Sequence, residues 1–446
     1  MKKIVFAVCF NILGICLFAE TINLEQVRTL ALLNSPSLQR SNLAVSNSLL
    51  NERNHLFSMF PSISARIDAS VSYLDRDWEF VNPQDTFSSS VGLSITQTIF
   101  AGGKNLILRD INAIATESAR REALAEFFNV IDSADAAYYA VLEAAATLEA
   151  EESALQTALF SLSMAELRLA NGMINQGDYL RALADKEVRE NSRNQARRNL
   201  ALSITRLESL IGLTNLPPLE QIDFSKYEEL ILHLGNITDG QIAALFSNFW
   251  MIISAANPSL ARTALNIQTA ENNLSLAKRD FAPSLSATFS LPSIGYSTSN
   301  GFGNPSNAGG FSITGTIPLD FWVMNNRVER NKIAVESATL NYINAETSLE
   351  IELYGVLLNI ISNAESVLSS RRTLEHVEKH FEFVLERYRL QQSSVSDLQE
   401  ASTMLINSRN NHTRALYGFL QSLSRLRSLG AIDEEETLIN ILMRNS

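Results

Sequence analysis

The chain has 446 residues, 46% hydrophobic and 19% charged, with mean hydropathy +0.02 and a formal net charge of -12. Near-neutral hydropathy excludes a helical membrane bundle, and only 18 glycines and 10 prolines exclude collagenous and linker-like chains. The negative charge disfavours broad attraction to nucleic-acid phosphates or an anionic membrane surface.

Residues 1–19 read as a secretory signal peptide: Lys2 and Lys3 lead an apolar run, and Ala19 offers a small residue for cleavage. A membrane anchor is the alternative, but the run is shorter than the ~20 residues a spanning helix needs. Both cysteines, Cys9 and Cys16, lie inside it, so the cleaved chain has no disulfide, thiolate metal site or cysteine nucleophile. Lipidation at Cys16 stays open, with bulky Ile15 where such signals favour a small residue.

The rest of the chain is duplicated. Asn34-Ser35-Pro36-Ser37-Leu38 and Pro61-Ser62-Ile63-Ser64-Ala65 return 222 residues later as Ala256-Asn257-Pro258-Ser259-Leu260 and Pro283-Ser284-Leu285-Ser286-Ala287. Asp178, Ala182 and Arg206-Leu207 return 219 residues later as Asp397, Ala401 and Arg425-Leu426. The domains expected are a first repeat over 20–215, a linker over 216–239, a second repeat over 240–432 and a C-terminal tail over 433–446.

In chain order, residues 37–60 are expected as a helix. Ile63, Ala65, Ile67, Ala69, Val71 and Tyr73 then alternate with polar residues that include Arg66 and Asp68, the period of a strand. A surface loop is expected over 74–89, and Val91, Leu93, Ile95 and Ile99 form a second strand. Residues 104–170 carry no proline and a seven-residue apolar repeat, Val141, Leu148, Leu155, Leu162 and Leu169, with alanines at companion positions. That predicts a supercoiled helix about 100 Å long at ~1.5 Å per residue. Gly172 and Gly177 mark a reversal, and 178–210 returns as a shorter helix. The second repeat supplies strands through Leu285–Leu291 and Phe311–Ile317, a loop over 292–309, and Ile360, Val367, Leu374, Phe381 and Tyr388 at seven-residue spacing.

Each alternating run has the length of a tilted membrane strand. Tyr73, Trp78, Phe80 and Tyr296 fit one aromatic girdle, and Phe60, Phe100, Phe281, Phe321 and Trp322 the other. Four strands cannot close a barrel, and an open edge in hydrocarbon leaves backbone groups unpaired. The chain must therefore oligomerise. Two copies give a filled eight-stranded barrel and three give a twelve-stranded one with a lumen, which the polar face with Arg66 and Asp68 favours.

These features together resemble the TolC family of outer-membrane efflux and secretion ducts. The carriers are the duplicated Asn-Pro-Ser-Leu helix starts, the paired Pro-Ser strand starts, Gln97-Thr98-Ile99-Phe100-Ala101-Gly102-Gly103-Lys104, and the tip segments Asn171-Gly172-Met173-Ile174 with Asp178 and Val395-Ser396-Asp397-Leu398 with Ala401. The resemblance implies an α+β membrane protein: a homotrimer with a twelve-stranded outer-membrane β-barrel, four strands per chain, continued by a twelve-helix periplasmic α-barrel. Segments 21–33 and 211–256 would form a mixed equatorial band. It also implies a periplasmic adaptor (membrane fusion) protein and an inner-membrane transporter of RND, ABC or MFS type as partners, outer-membrane lipid, and no cofactor.

By the same resemblance, Asp397 and Glu400 match an acidic ring at the periplasmic gate, with a solvated helix face as the plain alternative. Asp178, Tyr388 and Gly172 match tip contacts, and Ser393 stands where the family's lock has an arginine. Gln391 replaces the second tip glycine, and Arg387 or Arg389 could substitute for the missing arginine.

Other chemistry is thin. His376 and His380 have ligand spacing on a helix, but His-Val-Glu-Lys-His is not His-Glu-x-x-His. Gly301-Phe302-Gly303 lacks the strand-to-helix context of a phosphate-binding turn, and no carboxylate pair forms a catalytic signature. The sequence thus points to a non-enzymatic duct, the alternative being a periplasmic coiled-coil adaptor or scaffold.

Overall fold

The computed structural model describes residues 21–72, 86–298, 301–307, 309–432 and 434–444. The signal peptide, Cys9, Cys16, and the rim aromatics Tyr73, Trp78 and Phe80 lie outside the described residues.

The helices are α1 (Leu24–Asn34), α2 (Pro36–Phe57), α3 (Lys104–Ala170), α4 (Gln176–Ile211), α5 (Glu228–Leu234), α6 (Asp239–Ala256), α7 (Pro258–Lys278), α8 (Phe321–Arg389), α9 (Val395–Gly430) and α10 (Glu435–Arg444). The strands are β1 (Ser62–Ser72), β2 (Thr86–Ala101), β3 (Ser284–Ser290), β4 (Ser293–Ser297), β5 (Gly301–Asn307) and β6 (Gly310–Thr316). The duplication is visible in the helix ends. α3 and α8 end at 170 and 389, and α4 and α9 run 176–211 and 395–430, all 219 apart.

The chain forms two compact units. One takes residues up to 40, 123–259 and from 346 onward, and the other takes 41–122 and 260–345.

The second unit holds one antiparallel sheet. β1 pairs with β2, and β2 pairs along its other edge with β3 and then β4; β6 and β5 pair outside β3 and β4. The segment 292–309 therefore carries the short strands β4 and β5 where a loop was expected. β3 and β4 behave as one strand interrupted at Pro292, which has no amide hydrogen to give the ladder, so four strand positions remain. Likewise β2 begins at Thr86, inside the segment expected as loop.

Register sorts the side chains by face. Ile63, Ala65 and Ile67 stand opposite Ile95, Leu93 and Val91; Phe289 lies between Ile95 and Phe311. The other face is a ladder of hydroxyls, with Oγ–Oγ distances of 2.8 Å for Ser64–Ser94 and 2.7 Å for Ser70–Ser88. Ile63 and Ile67 are 74% and 78% exposed, a face that water would not leave bare in a soluble sandwich.

At the end of β2, Gly102 and Gly103 take φ +65° and +77°, and a Cβ on Gly102 would lie 2.5 Å from that of Ala282. Only glycine allows this strand-to-helix corner. Lys104 then bonds Asp280 at 2.6 Å, and Arg327 of α8 bonds its other oxygen, so one carboxylate holds the starts of both long helices.

In the first unit, Ile22 bridges Leu219 in parallel, and Tyr138 donates to the Glu220 carbonyl at 2.6 Å. Beside them Arg28 of α1 forms a bidentate pair with Asp135 of α3, at 2.6 and 2.7 Å, and Ser424 of α9 donates to the same carboxylate at 2.7 Å. Burial disfavours the Arg28 charge, but the Asp135 bonds outweigh it and raise the guanidinium pKa. Residues 435–444, within the stretch read as a tail, form α10, which buries Leu438 and Leu442.

The seven-residue pattern is buried at Val141, Ile360, Val367 and Tyr388, and differs toward the end of α3. From residue 151 to the end of α3 the buried positions are Ala154, Ala158, Ser161, Ala165 and Arg168, spaced four and three apart, while Leu155, Leu162 and Leu169 are half-buried. Small side chains let helices approach closely, so the alanine line is the internal seam and the leucines flank it.

Candidate functional site at the helical tips

Both hairpins turn by the same chemistry. Gly172 and Gln391, 219 apart, sit at φ +67° and +64°, and the following amides, Met173 and Gln392, bond back to the carbonyls of Arg168 and Arg387 at 2.8 Å. This is the left-handed cap that ends a helix, adopted once by glycine and once by glutamine. The returning helices are then capped by Asn175 and Ser394, whose side chains accept the amides of Asp178 and Asp397.

Asp397 does more than receive a cap. Its Oδ2 accepts the Ser394 amide and the Ser393 hydroxyl, both at 2.9 Å, completing a capping box. Those bonds, chiefly from the Ser394 amide and then the Ser393 hydroxyl, hold its carboxyl below the usual 3.8. Glu400, one turn on, is exposed. Ser393 thus serves its own turn instead of the facing hairpin.

Tyr388 is wholly buried among Ala165, Ala182, Val384, Val395, Leu398 and Ala401. Its hydroxyl donates to the Ser161 carbonyl at 3.2 Å, and Phe160 meets its ring edge-on at 6.4 Å. Arg168 lies over the ring, 4.4 Å from its centroid, and donates to the Tyr388 carbonyl. A buried cation, Arg168, which the sequence reading missed, thus bridges the two hairpins. Arg387 donates to the Gln392 carbonyl of its own turn at 2.8 Å, whereas Arg389, besides pairing with Glu386 at 3.6 Å, lies 5.7 Å from the centroid of the Phe160 ring in the facing hairpin. A charged residue in the last turn of the alanine stripe was the available signal for Arg168.

The returning helices are linked to each other by Arg189 to the Thr403 hydroxyl at 2.5 Å and by Gln399 to the Arg181 carbonyl at 3.2 Å. On the sheet, Arg66 and Asp68 pair with each other at 2.8 Å on the hydroxyl face and are exposed. Among the described residues no cluster of three or more His, Cys, Asp or Glu could hold a metal ion.

A four-position antiparallel sheet with one bare apolar face, open edges and two long helical hairpins defines a membrane-embedded β-barrel channel assembled from several chains. The chain matches the family described as outer membrane efflux protein over residues 27–213 and 253–431, and belongs to it. Its fold is similar to three solved structures. The Campylobacter jejuni CmeC outer membrane channel is 16% identical, with TM-score 0.74 over 95% of this chain and 89% of that one. The Vibrio cholerae outer membrane protein VceC is 17% identical, with TM-score 0.70 over 91% and 96%. The open state of the Neisseria gonorrhoeae MtrE outer membrane channel is 18% identical, with TM-score 0.63 over 91% and 88%. No curated protein matches the chain.

The protein is an outer-membrane exit duct for efflux that extends into the periplasm, a trimer that works with pump components.

Proposed function

We propose that the duct receives substrate from an inner-membrane transporter of RND, ABC or MFS type through a periplasmic adaptor docked on the helical tips, serving efflux or type I secretion without an enzymatic step of its own. Asp397 and Glu400 form the acidic ring of its periplasmic mouth, Arg66 and Asp68 line the barrel lumen, and Gly172, Asp178, Tyr388 and Ser393 shape the tips. The supporting observation is that Asp397 and Glu400 are exposed one turn apart at the start of α9, with Asp397 held ionised by its capping box. Three such pairs around a three-fold axis attract cations and repel anions. The repeats proposed over 20–215 and 240–432 each bring one hairpin to this mouth.

Single-channel conductance in planar bilayers tests the mouth. Asp397→Asn/Glu400→Gln removes the charges, and Asn keeps an acceptor oxygen for the Ser394 amide. Reduced cation selectivity supports the ring. Unchanged selectivity sinks the assignment and leaves the duct standing.

A further inference from the structure

The duplication allows the charges of one repeat to be checked against those of the other. In the second repeat, Arg262 in the first turns of α7 pairs with Glu122 at 3.4 Å, and Arg425 near the end of α9 pairs with Asp132 at 3.6 Å and with Glu352. Their counterparts are Arg40 of α2, 222 positions earlier, and Arg206 of α4, 219 positions earlier. The residues 219 positions from the three acids are Asn341, Ile351 and Ser133, none of them acidic. The first repeat thus keeps both arginines without the carboxylates that neutralise them in the second.

Arg40 and Arg206 line one cleft of about 650 Å³, where the start of α2, the middle of α3 and the end of α4 meet within the first unit. Both are exposed, and neither has a hydrogen-bond or ion-pair partner among the described residues. Glu126, the single carboxylate in the lining, pairs with neither, so the cleft keeps a net positive charge. The first turn of α2 opens onto it. There the Leu38 amide bonds the Ser35 hydroxyl at 3.2 Å and the Gln39 amide bonds the Ser35 carbonyl at 3.1 Å. Pro36 has no amide hydrogen, which leaves the Ser37 amide, at the positive end of the helix dipole, for a ligand.

We infer that this cleft binds a small soluble oxyanion, a molecule bearing a carboxylate or phosphate group, through Arg40 and Arg206. A guanidinium presents paired N–H donors that match the oxygens of such groups, and the hydroxyls of Ser133 and Ser209 and the Asn129 amide supply neutral donors beside them. The volume is that of a small-molecule site and exceeds what a bare ion fills, so the anionic group is carried by a compact polar molecule. The bound anion takes the part that Asp132 and Glu352 play toward Arg425, and it ties α2 to α3 and α4 by charge-assisted bonds. The site is separate from the acidic mouth, whose carboxylates repel the same ligands. Because both arginines are exposed, added salt weakens the binding.

The test titrates the assembled protein in lipid nanodiscs with citrate and with inorganic phosphate, in Tris chloride of low ionic strength, by isothermal calorimetry. The unaltered chain is expected to bind one anion per protomer, and the tighter of the two probes identifies the group. Arg40→Gln/Arg206→Gln is expected to weaken binding about tenfold or more, the loss of two charge-assisted bonds. Ser133→Glu keeps both arginines and places a carboxylate where the second repeat has Glu352; it is expected to weaken binding to a similar degree. Residue 133 is exposed, so the fold accommodates the change. Native mass spectrometry follows assembly in parallel, and if the double variant fails to assemble, Ser133→Glu decides. Absence of uptake by the unaltered chain, or equal affinity in the unaltered chain and Ser133→Glu, overturns the site. Neither result touches the duct, which conducts with the cleft empty or filled.

Discussion

Gln391 stands 219 residues after Gly172 and takes the same left-handed backbone, φ +64° against +67°, at the turn of the second hairpin. A side chain there crowds the following carbonyl, at a cost of roughly 1–2 kcal/mol for a non-glycine residue. The second tip therefore carries strain that the first does not.

Replacing Gln391 with glycine relieves it. Gln391→Gly is expected to stabilise the tip by about 1 kcal/mol, and Gly172→Ala to destabilise the other by a similar amount although nothing lies within 4 Å of its Cβ. Hydrogen exchange of the Leu390–Gln392 amides, measured against those near 172, reads the difference directly. Unchanged protection in both variants would count against backbone strain.

Arg168 and Tyr388 carry the cross-hairpin clamp. Arg168→Ala removes a cation–π contact worth about 0.5–2 kcal/mol and leaves the Tyr388 carbonyl with the Gln391 amide as its remaining donor. Tyr388→Phe removes only the hydroxyl bond to Ser161, about 0.5–1.5 kcal/mol. Single-channel records should show more frequent opening in Arg168→Ala than in Tyr388→Phe. The reverse ranking would place the clamp on the hydroxyl.

The Arg28–Asp135 pair joins α1 to α3 in a site without water access. Asp135→Leu leaves the buried Arg28 guanidinium with only Glu25, itself exposed, and Glu435 at 3.9 Å, and is expected to cost about 3 kcal/mol. Arg28→Met/Asp135→Leu, which removes both charges, recovers most of it. Thermal unfolding of the four members of this cycle checks the coupling, and additive losses would refute it.

His412 sets a pH dependence. Burial first, and Arg371 second, hold its imidazole below the ordinary 6.5, with Glu378 opposing, and its Nδ1 lies 3.0 Å from the Ser370 hydroxyl. The unfolded chain takes up the proton before the folded one does. The contribution is therefore complete above pH 6.5 and is lost as pH falls from there toward the lowered folded value. The thermal midpoint should drop across that window, with a shallower drop in His412→Gln. Equal slopes would assign the acid sensitivity elsewhere.

Much of this arrangement was legible residue by residue. The absence of proline from 104 to 170, with helix-forming side chains throughout, matches the observed α3 at both ends. Alternation put Ile63, Ile67, Leu93 and Ile95 on one face, where register pairs them. The break at Pro292 was less legible, because a loop-like composition of Gly, Ser, Asn and Pro also suits two short paired strands once β2 offers an edge. At the tip, Arg389 does reach the Phe160 ring of the facing hairpin, but the buried clamp on Tyr388 could not be foreseen, because its partner is far away in sequence. Arg168 is 220 positions from Tyr388, and no local pattern links them.

The sequence by itself determined what each segment could be: helix, strand or turn, which face is apolar, and that the unit occurs twice. Those properties depend on neighbours within a few residues, where sterics, caps and periodicity act. Only the tertiary structure decided which copy of a duplicated face is covered. Asp135 and Tyr354 occupy the same place in their repeats, yet one is sealed beneath Ser424 and the other left open. Burial is a property of the whole packed chain, and side-chain partners hundreds of positions apart become neighbours only once the helices are assembled.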